Sequence, residues 1–258
     1  SKKIQSFPYK NWMSEFEKLK LLKIKKLQWI YENNKLNDNP LNHKNFKKLS
    51  EQIKKKFNVR INSICADEFI NRPLIRSQGL NKKSLKVLLK LISLAQKLNI
   101  DYIILPFIDN SSIKKLDYVS ELKNLFEILY PKLIQSKIEI HLETDIPNKK
   151  IAKIINSEDF QKYIKINFDS GNTVSLGYNL YREIMDAELC IGSIHIKDRA
   201  IGGITVPLGY GDVNFHTLFG TLKKINYNGE YVLQAARIEG LNNTKLIGKY
   251  LDFLKQFK

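Results

Sequence analysis

Seven short apolar runs recur along the 258-residue chain, each followed by a polar turn and then a helix-like stretch. They are "LQWIYE" (27–32), "VRINSICAD" (59–67), "YIILPF" (102–107), "EIHLET" (139–144), "IKINFDS" (164–170), "GSIHIKD" (192–198) and "YVLQAAR" (231–237). Runs this short, apolar and β-branched read as buried strands. The stretches between them repeat apolar residues at spacings of three and four. In "SLKVLLKLISLAQKLN" (84–99), Leu85, Leu88, Leu89, Ile92 and Ala95 form one stripe. "SELKNLFEILYPKLIQ" (120–135) is a second helix, which Pro131 is expected to break or kink. Strict alternation of strand and helix predicts a parallel sheet covered by helices.

Seven strands over this length suit a (β/α)8 TIM barrel, which takes about 250 residues. The whole chain, 1–258, is expected to be one such domain. The first helix, "NWMSEFEKLKLLK" (11–23), has no strand before it, so the first barrel strand is expected ahead of residue 1. The alternative is an open doubly wound sheet. No G-x-G-x-x-G follows an early strand, so a dinucleotide site has no support.

Composition narrows the function classes. The net charge of +17 invites a nucleic-acid reading. The lysines are spread along amphipathic segments such as "NFKKLSEQIKKKF" (45–57), without an Arg-rich or aromatic-interleaved patch. A solvated surface is the expectation, with no nucleic-acid partner; such a charge also steers anionic substrates inward. No apolar run reaches the roughly 20 residues of a membrane helix, so no membrane is expected. "SKKIQSFPYK" (1–10) has no apolar core of a signal peptide. Two cysteines, Cys65 and Cys190, exclude a disulfide scaffold and suggest a reducing, cytoplasmic setting.

In a barrel, catalytic groups come from the C-terminal ends of several strands. Four consecutive runs carry a polar residue there: Glu143, Asp169, His195 and Gln234. Twenty-six residues separate 143 from 169, and 26 separate 169 from 195, one β–α unit each time. These groups are therefore expected at similar height in the barrel mouth. Two carboxylates, an imidazole and a fourth oxygen ligand suit Mn, Mg, Co or Zn as a divalent ion. Such an ion polarises a carbonyl and its neighbouring hydroxyl, and a carboxylate base then takes the proton between them. That is the chemistry of aldose–ketose isomerisation and ketose epimerisation. Taken singly, each residue has a plainer role: His195 as core, Glu143 paired with a lysine, Asp169 capping the following turn. His141 lies one layer deeper, as core or as support for a ligand. His43 and His216 are given no role. Cys65 either lines the pocket or is a buried inert thiol.

Beyond His195 runs "HIKDRAIGGITVPLGYGDVNF" (195–215). With "QSFPYKNWMSEFE" (5–17), "INSICADEFINRPL" (61–74), "ILPFIDNSS" (104–112), "HLETD" (141–145), "INFDSGN" (166–172) and "VLQAAR" (232–237), it resembles the xylose isomerase-like TIM barrels over nearly the whole chain. The resemblance is to the sugar (phosphate) isomerase/epimerase group, near L-ribulose-5-phosphate 3-epimerase and hexulose-6-phosphate isomerase. It implies a metal held by Glu143, Asp169, His195 and the residue at 234, with Glu143 as one acid/base. Relatives carry a second Glu where this chain has Gln234. An amide oxygen still ligates, but it neither takes nor gives a proton. That leaves one-base isomerisation, a lyase reaction, or sugar binding without catalysis. Gln28 is a second departure, where relatives often carry an acid.

Lys197, Arg199 and Arg237 are candidates for a phosphate or carboxylate on the substrate, or else loop cations without a ligand. Gly202 and Gly203 give the loop freedom to close over a ligand. Asp109, Asn110 and Ser111, just past their strand, either contact sugar hydroxyls or form a plain turn. The leading expectation is a metal-dependent sugar or sugar-phosphate isomerase or epimerase of carbohydrate metabolism, compatible with a homo-oligomer. A non-catalytic sugar-binding homologue is the alternative. An endonuclease IV-like repair nuclease is remote, because such sites use many histidines and this chain has four.

Overall fold

The computed structural model describes residues 7–32, 39–157, 160–238 and 240–257. Residues 1–6, which open both the amino-terminal reading and the motif at 5–17, lie outside the described residues. Contacts group the chain into two compact units. One runs up to Thr144 and includes Lys162–Ile164; the other comprises Asp145–Gln161 and Lys165–Lys258.

The first unit holds β1 (Lys26–Ile30), β2 (Arg60–Cys65), β3 (Tyr102–Phe107) and β4 (Glu139–Thr144). All three pairings between consecutive strands here are parallel. Every residue of β3 is buried, as a strand covered on both faces requires. Helices α1 (Trp12–Leu21), α2 (Phe46–Phe57), α3 (Lys82–Lys97) and α4 (Tyr118–Ser136) accompany them. On α3 the buried stripe is Ser84, Leu88, Leu91, Ile92 and Ala95, so Leu91 takes the central place expected of Leu85 and Leu89. At the amino-terminal end Phe7, Trp12, Trp29 and Phe46 pack ring against ring. Trp29 Nε1 donates to the buried Asn39 Oδ1 at 2.9 Å.

Pro131 does not end its helix: α4 runs through it to Ser136. The ring lies on the exposed face, away from the buried Leu122, Leu125, Phe126, Leu129 and Leu133. The carbonyl it leaves unbonded belongs to exposed Glu127, a position open to solvent.

The second unit carries β5 (Ile164–Asp169, its first residue counted with the other unit), β6 (Ile191–Ile196) and β7 (Glu230–Leu233). Its helices are α5 (Asn148–Asn156), α6 (Ser170–Ser175), α7 (Leu180–Met185), α8 (Phe215–Lys224) and α9 (Asn243–Leu254). The pairings β5–β6 and β6–β7 are parallel. A two-stranded antiparallel ribbon joins Asp198–Arg199 to Thr205–Val206. Within each unit the strand order follows the chain, β1 to β4 in the first and β5 to β7 in the second. The last strand is shorter than the sequence suggests. It stops at Leu233, so Gln234 and Arg237 lie beyond it rather than within it.

Both cysteines are free and buried. No helix among the described residues is long and apolar enough to cross a membrane.

Candidate functional site

β5 ends on Asp169 and β6 carries His195 one residue before its end, and the register sets these two directly beside each other. On its other flank His195 pairs with Val232 of β7. Both side chains are buried: Asp169 is 4% exposed and His195 0%. Aligned parallel strands thus deliver a carboxylate and an imidazole to one level of the sheet.

The two oxygens of Asp169 do different work. Oδ1 accepts from the Asn172 N–H at 2.8 Å and caps α6. The plain capping role is therefore present, and it uses one of the two oxygens. Oδ2 faces His195 Nδ1 at 3.7 Å and Lys197 Nζ at 2.6 Å. Burial by itself would raise the Asp169 carboxyl; the Lys197 ammonium, helped by His195, outweighs it and holds the group well below its ordinary 3.8.

The 3.7 Å separation is too long for a hydrogen bond. It is close to the roughly 3.4 Å expected between two tetrahedral ligands that each lie about 2.1 Å from one ion. Carboxylate oxygen and imidazole nitrogen are also a donor set that Zn, Mn and Co accept. The residues present fit a divalent ion.

Ser170 ties the strand ends together. Its Oγ donates toward the Lys197 carbonyl at 2.6 Å and accepts the Lys197 N–H at 3.0 Å. Lys197, 8% exposed, is the only lysine or arginine in the buried set among the described residues. Its stem lies along Gly171, where a Cβ would come within 2.8 Å of Lys197 Cγ. Arg199 turns inward on its own loop. Nη2 and Nε donate to the Gly203 carbonyl at 2.6 and 3.1 Å, and Nη1 to Asn172 Oδ1 at 2.8 Å.

Sequence reasoning passed over Asp198. Its fully buried carboxylate accepts from the backbone N–H groups of Gly209, Gly211 and Val213, at 2.9, 3.0 and 3.2 Å. Gly211 has no room for a side chain: a Cβ there would press on the Asp198 carboxylate and stand 2.8 Å from the Arg199 backbone. The signal was present as an Asp at a strand exit followed by a Gly-x-Gly-Asp loop, the pattern of a carboxylate that collects loop amides.

The remaining candidates sit as follows. Glu143 is the penultimate residue of β4, 4% exposed, in register with Pro106. Gln234 follows β7 directly, and its N–H still donates to the Ile196 carbonyl at 3.0 Å. Arg237 is exposed. Asp109 and Asn110 are exposed and, with Ser111, form a 3-10 turn in which Asp109 has a φ of 50°. Cys65 is buried and its Sγ donates to Asp67 Oδ1 at 3.1 Å. His141 is buried, stacked on Tyr102 at 4.1 Å and bonded to Glu139 at 3.0 Å. His43 and His216 are exposed. Gln28 donates to Ser63 Oγ at 3.3 Å.

Three solved structures are similar to this chain in fold. A xylose isomerase domain protein from Planctomyces limnophilus is 18% identical, with TM-score 0.71 over 94% of this chain and 90% of its own. The 3-keto-D-glucoside 4-epimerase YcjR from E. coli, in its apo form, is 18% identical, with TM-score 0.70 over 97% and 95%. The IOLI protein, described with a binding zinc atom, is 16% identical, with TM-score 0.70 over 95% and 93%. No curated protein matches the chain. The family model for the xylose isomerase-like TIM barrel matches residues 17–257, which sets aside the open doubly wound sheet. The chain belongs to the xylose isomerase-like TIM barrel family.

Proposed function

We propose that this chain is a divalent-metal-dependent isomerase or epimerase of a sugar or sugar phosphate, acting through an enediolate. The observation that carries the reading is the buried pair of Asp169 Oδ2 and His195 Nδ1, spaced for one ion and too far apart to bond each other. Glu143 supports it as a second carboxylate, buried near the end of its own strand, the position Asp169 and His195 hold on theirs. Gln234 Oε1 is the proposed fourth ligand. The bound ion, Mn, Mg, Co or Zn, would polarise the substrate's carbonyl and adjacent hydroxyl.

Glu143 is the base. Buried at its strand end, it takes a proton from the hydroxyl-bearing carbon next to the carbonyl and returns it to the former carbonyl carbon, while the hydroxyl proton passes to the former carbonyl oxygen, so that the carbonyl and the hydroxyl exchange places. Gln234 contributes an oxygen but no proton transfer, so the reaction runs on one base. Two-base inversion has no second carboxylate at 234. Lys197, Arg199 and Arg237 are proposed to meet an anionic group on the substrate, and Asp109, Asn110 and Cys65 to border the pocket. The chain is taken as one domain, 1–258, at work in the cytoplasm on a small sugar.

The test is metal content after reconstitution, with turnover of a panel of pentose and hexose phosphates. His195→Ala is expected to hold less than a tenth of the wild-type metal and to lose turnover. Unchanged metal and activity in His195→Ala would sink the reading. Gln234 favours a second reading, sugar binding without turnover. Measurable sugar binding with no turnover in the wild type, and new epimerase activity in Gln234→Glu, would establish it instead.

A further inference from the structure

We propose that Lys197 is a resident counter-cation for Asp169, which a metal ion must displace in order to bind. The inference rests on the metal site proposed above and adds what that site does when no metal is bound.

The geometry makes the two cations rivals. Asp169 Oδ1 is committed to capping α6 through the Asn172 N–H. Only Oδ2 is left, and Lys197 Nζ sits on it at 2.6 Å. A metal ligated by the same oxygen at about 2.1 Å would stand less than 5 Å from the ammonium. A dication and an ammonium that close, in buried surroundings, repel strongly. Both cannot keep these positions.

The ammonium is also there for a reason. A buried carboxylate without a partner is expensive, and Lys197 is the only buried lysine or arginine among the described residues. Gly171 makes its seat. Any larger residue would put a Cβ 2.8 Å from Lys197 Cγ and 3.0 Å from Cδ, against the stem that carries Nζ to Asp169. The four-carbon stem is flexible, so the displaced head has somewhere to go. The protein thus keeps Asp169 neutralised and ordered without metal, and its metal affinity is set below what the ligands alone would give.

The test titrates metal-free protein with Mn²⁺ alone, and then Zn²⁺ alone, by calorimetry. Wild type, Lys197→Met and Gly171→Ala are compared, each first checked for folding by circular dichroism. Lys197→Met is expected to bind metal at least tenfold more tightly than wild type. Gly171→Ala keeps the ammonium but pushes its stem off the seat, and is expected to tighten binding by a smaller factor. Without metal, Lys197→Met is expected to melt at a lower temperature than wild type, with saturating Zn²⁺ restoring it. If Lys197→Met does not fold, Gly171→Ala decides: tighter binding supports the exchange and unchanged binding overturns it. Equal affinities in all three proteins overturn this inference and leave the metal site standing. Binding by none of them overturns both.

Discussion

Asp169→Ala is expected to abolish metal binding and to destabilise the metal-free protein by about 5 kcal/mol. Two losses add. Removing the carboxylate leaves the Lys197 ammonium buried without its partner, a change that costs about 3–5 kcal/mol when one half of a buried pair is deleted. It also removes the cap on α6, worth about 1 kcal/mol. Asp169→Asn separates them. Its amide oxygen can still accept from the Asn172 N–H, so that variant is expected to fall short of the Ala loss by about 1 kcal/mol. The wild-type pair has a pH signature too. In the folded protein the Asp169 carboxyl is held below its ordinary 3.8. The unfolded chain therefore takes up its proton first as the solution is acidified. The stabilisation is present in full well above pH 4 and is lost as the pH falls below about 4. Urea titrations of metal-free wild type and Asp169→Ala between pH 3 and 7 read both effects. The gap between the two curves should narrow toward acid. A constant gap, or a loss under 1 kcal/mol, would show that the Lys197 pairing contributes little.

What the sequence disclosed was whatever depends on a repeating pattern. The runs at 102–107 and 139–144 match β3 and β4 residue for residue: β3, buried on both faces, is written as an unbroken apolar word, and β4 as an alternation in which Ile140 and Leu142 stand between Glu139, His141 and Glu143. The spacing of Asp169 and His195 by one β–α unit survives as a direct register pair on neighbouring parallel strands. The misses share a different cause. Pro131 sits within an intact helix because its effect depends on whether the freed carbonyl meets water, which the local sequence does not state. β7 stops at Leu233, ahead of where the apolar text ends. Lys197 reads naturally as a substrate cation, two residues past His195. Its bond to Asp169 spans 28 positions and depends on Gly171 leaving space for the stem. In the sequence Asp198 is one more polar residue at a strand exit. Its role appears only when the loop that follows folds back over it.

That fold-back makes Asp198→Ala the second large effect. The carboxylate is fully buried and serves three backbone N–H groups at once, from Gly209, Gly211 and Val213. Water can reach some of those donors once the carboxylate is gone, but the Val213 bond is buried. Leaving a buried donor unmade costs about 1–3 kcal/mol, so the variant is expected to lose about 3 kcal/mol in all. Asp198→Asn is nearly as harmful: its amide group turns a donor toward N–H groups that need an acceptor. The damage should be local before it is global. Arg199, whose guanidinium grips Gly203, and the ribbon between Asp198–Arg199 and Thr205–Val206 follow immediately after Lys197. Hydrogen exchange should therefore show the amides of 209, 211 and 213 unprotected in Asp198→Ala, while those of β3 stay protected. Gly211→Ala attacks the same contact from the other side, because its Cβ meets the Asp198 carboxylate and the Arg199 backbone, neither of which can yield cheaply. It should reproduce the same pattern of lost protection. If both variants keep wild-type protection across 207–213, the loop is held by something other than this carboxylate.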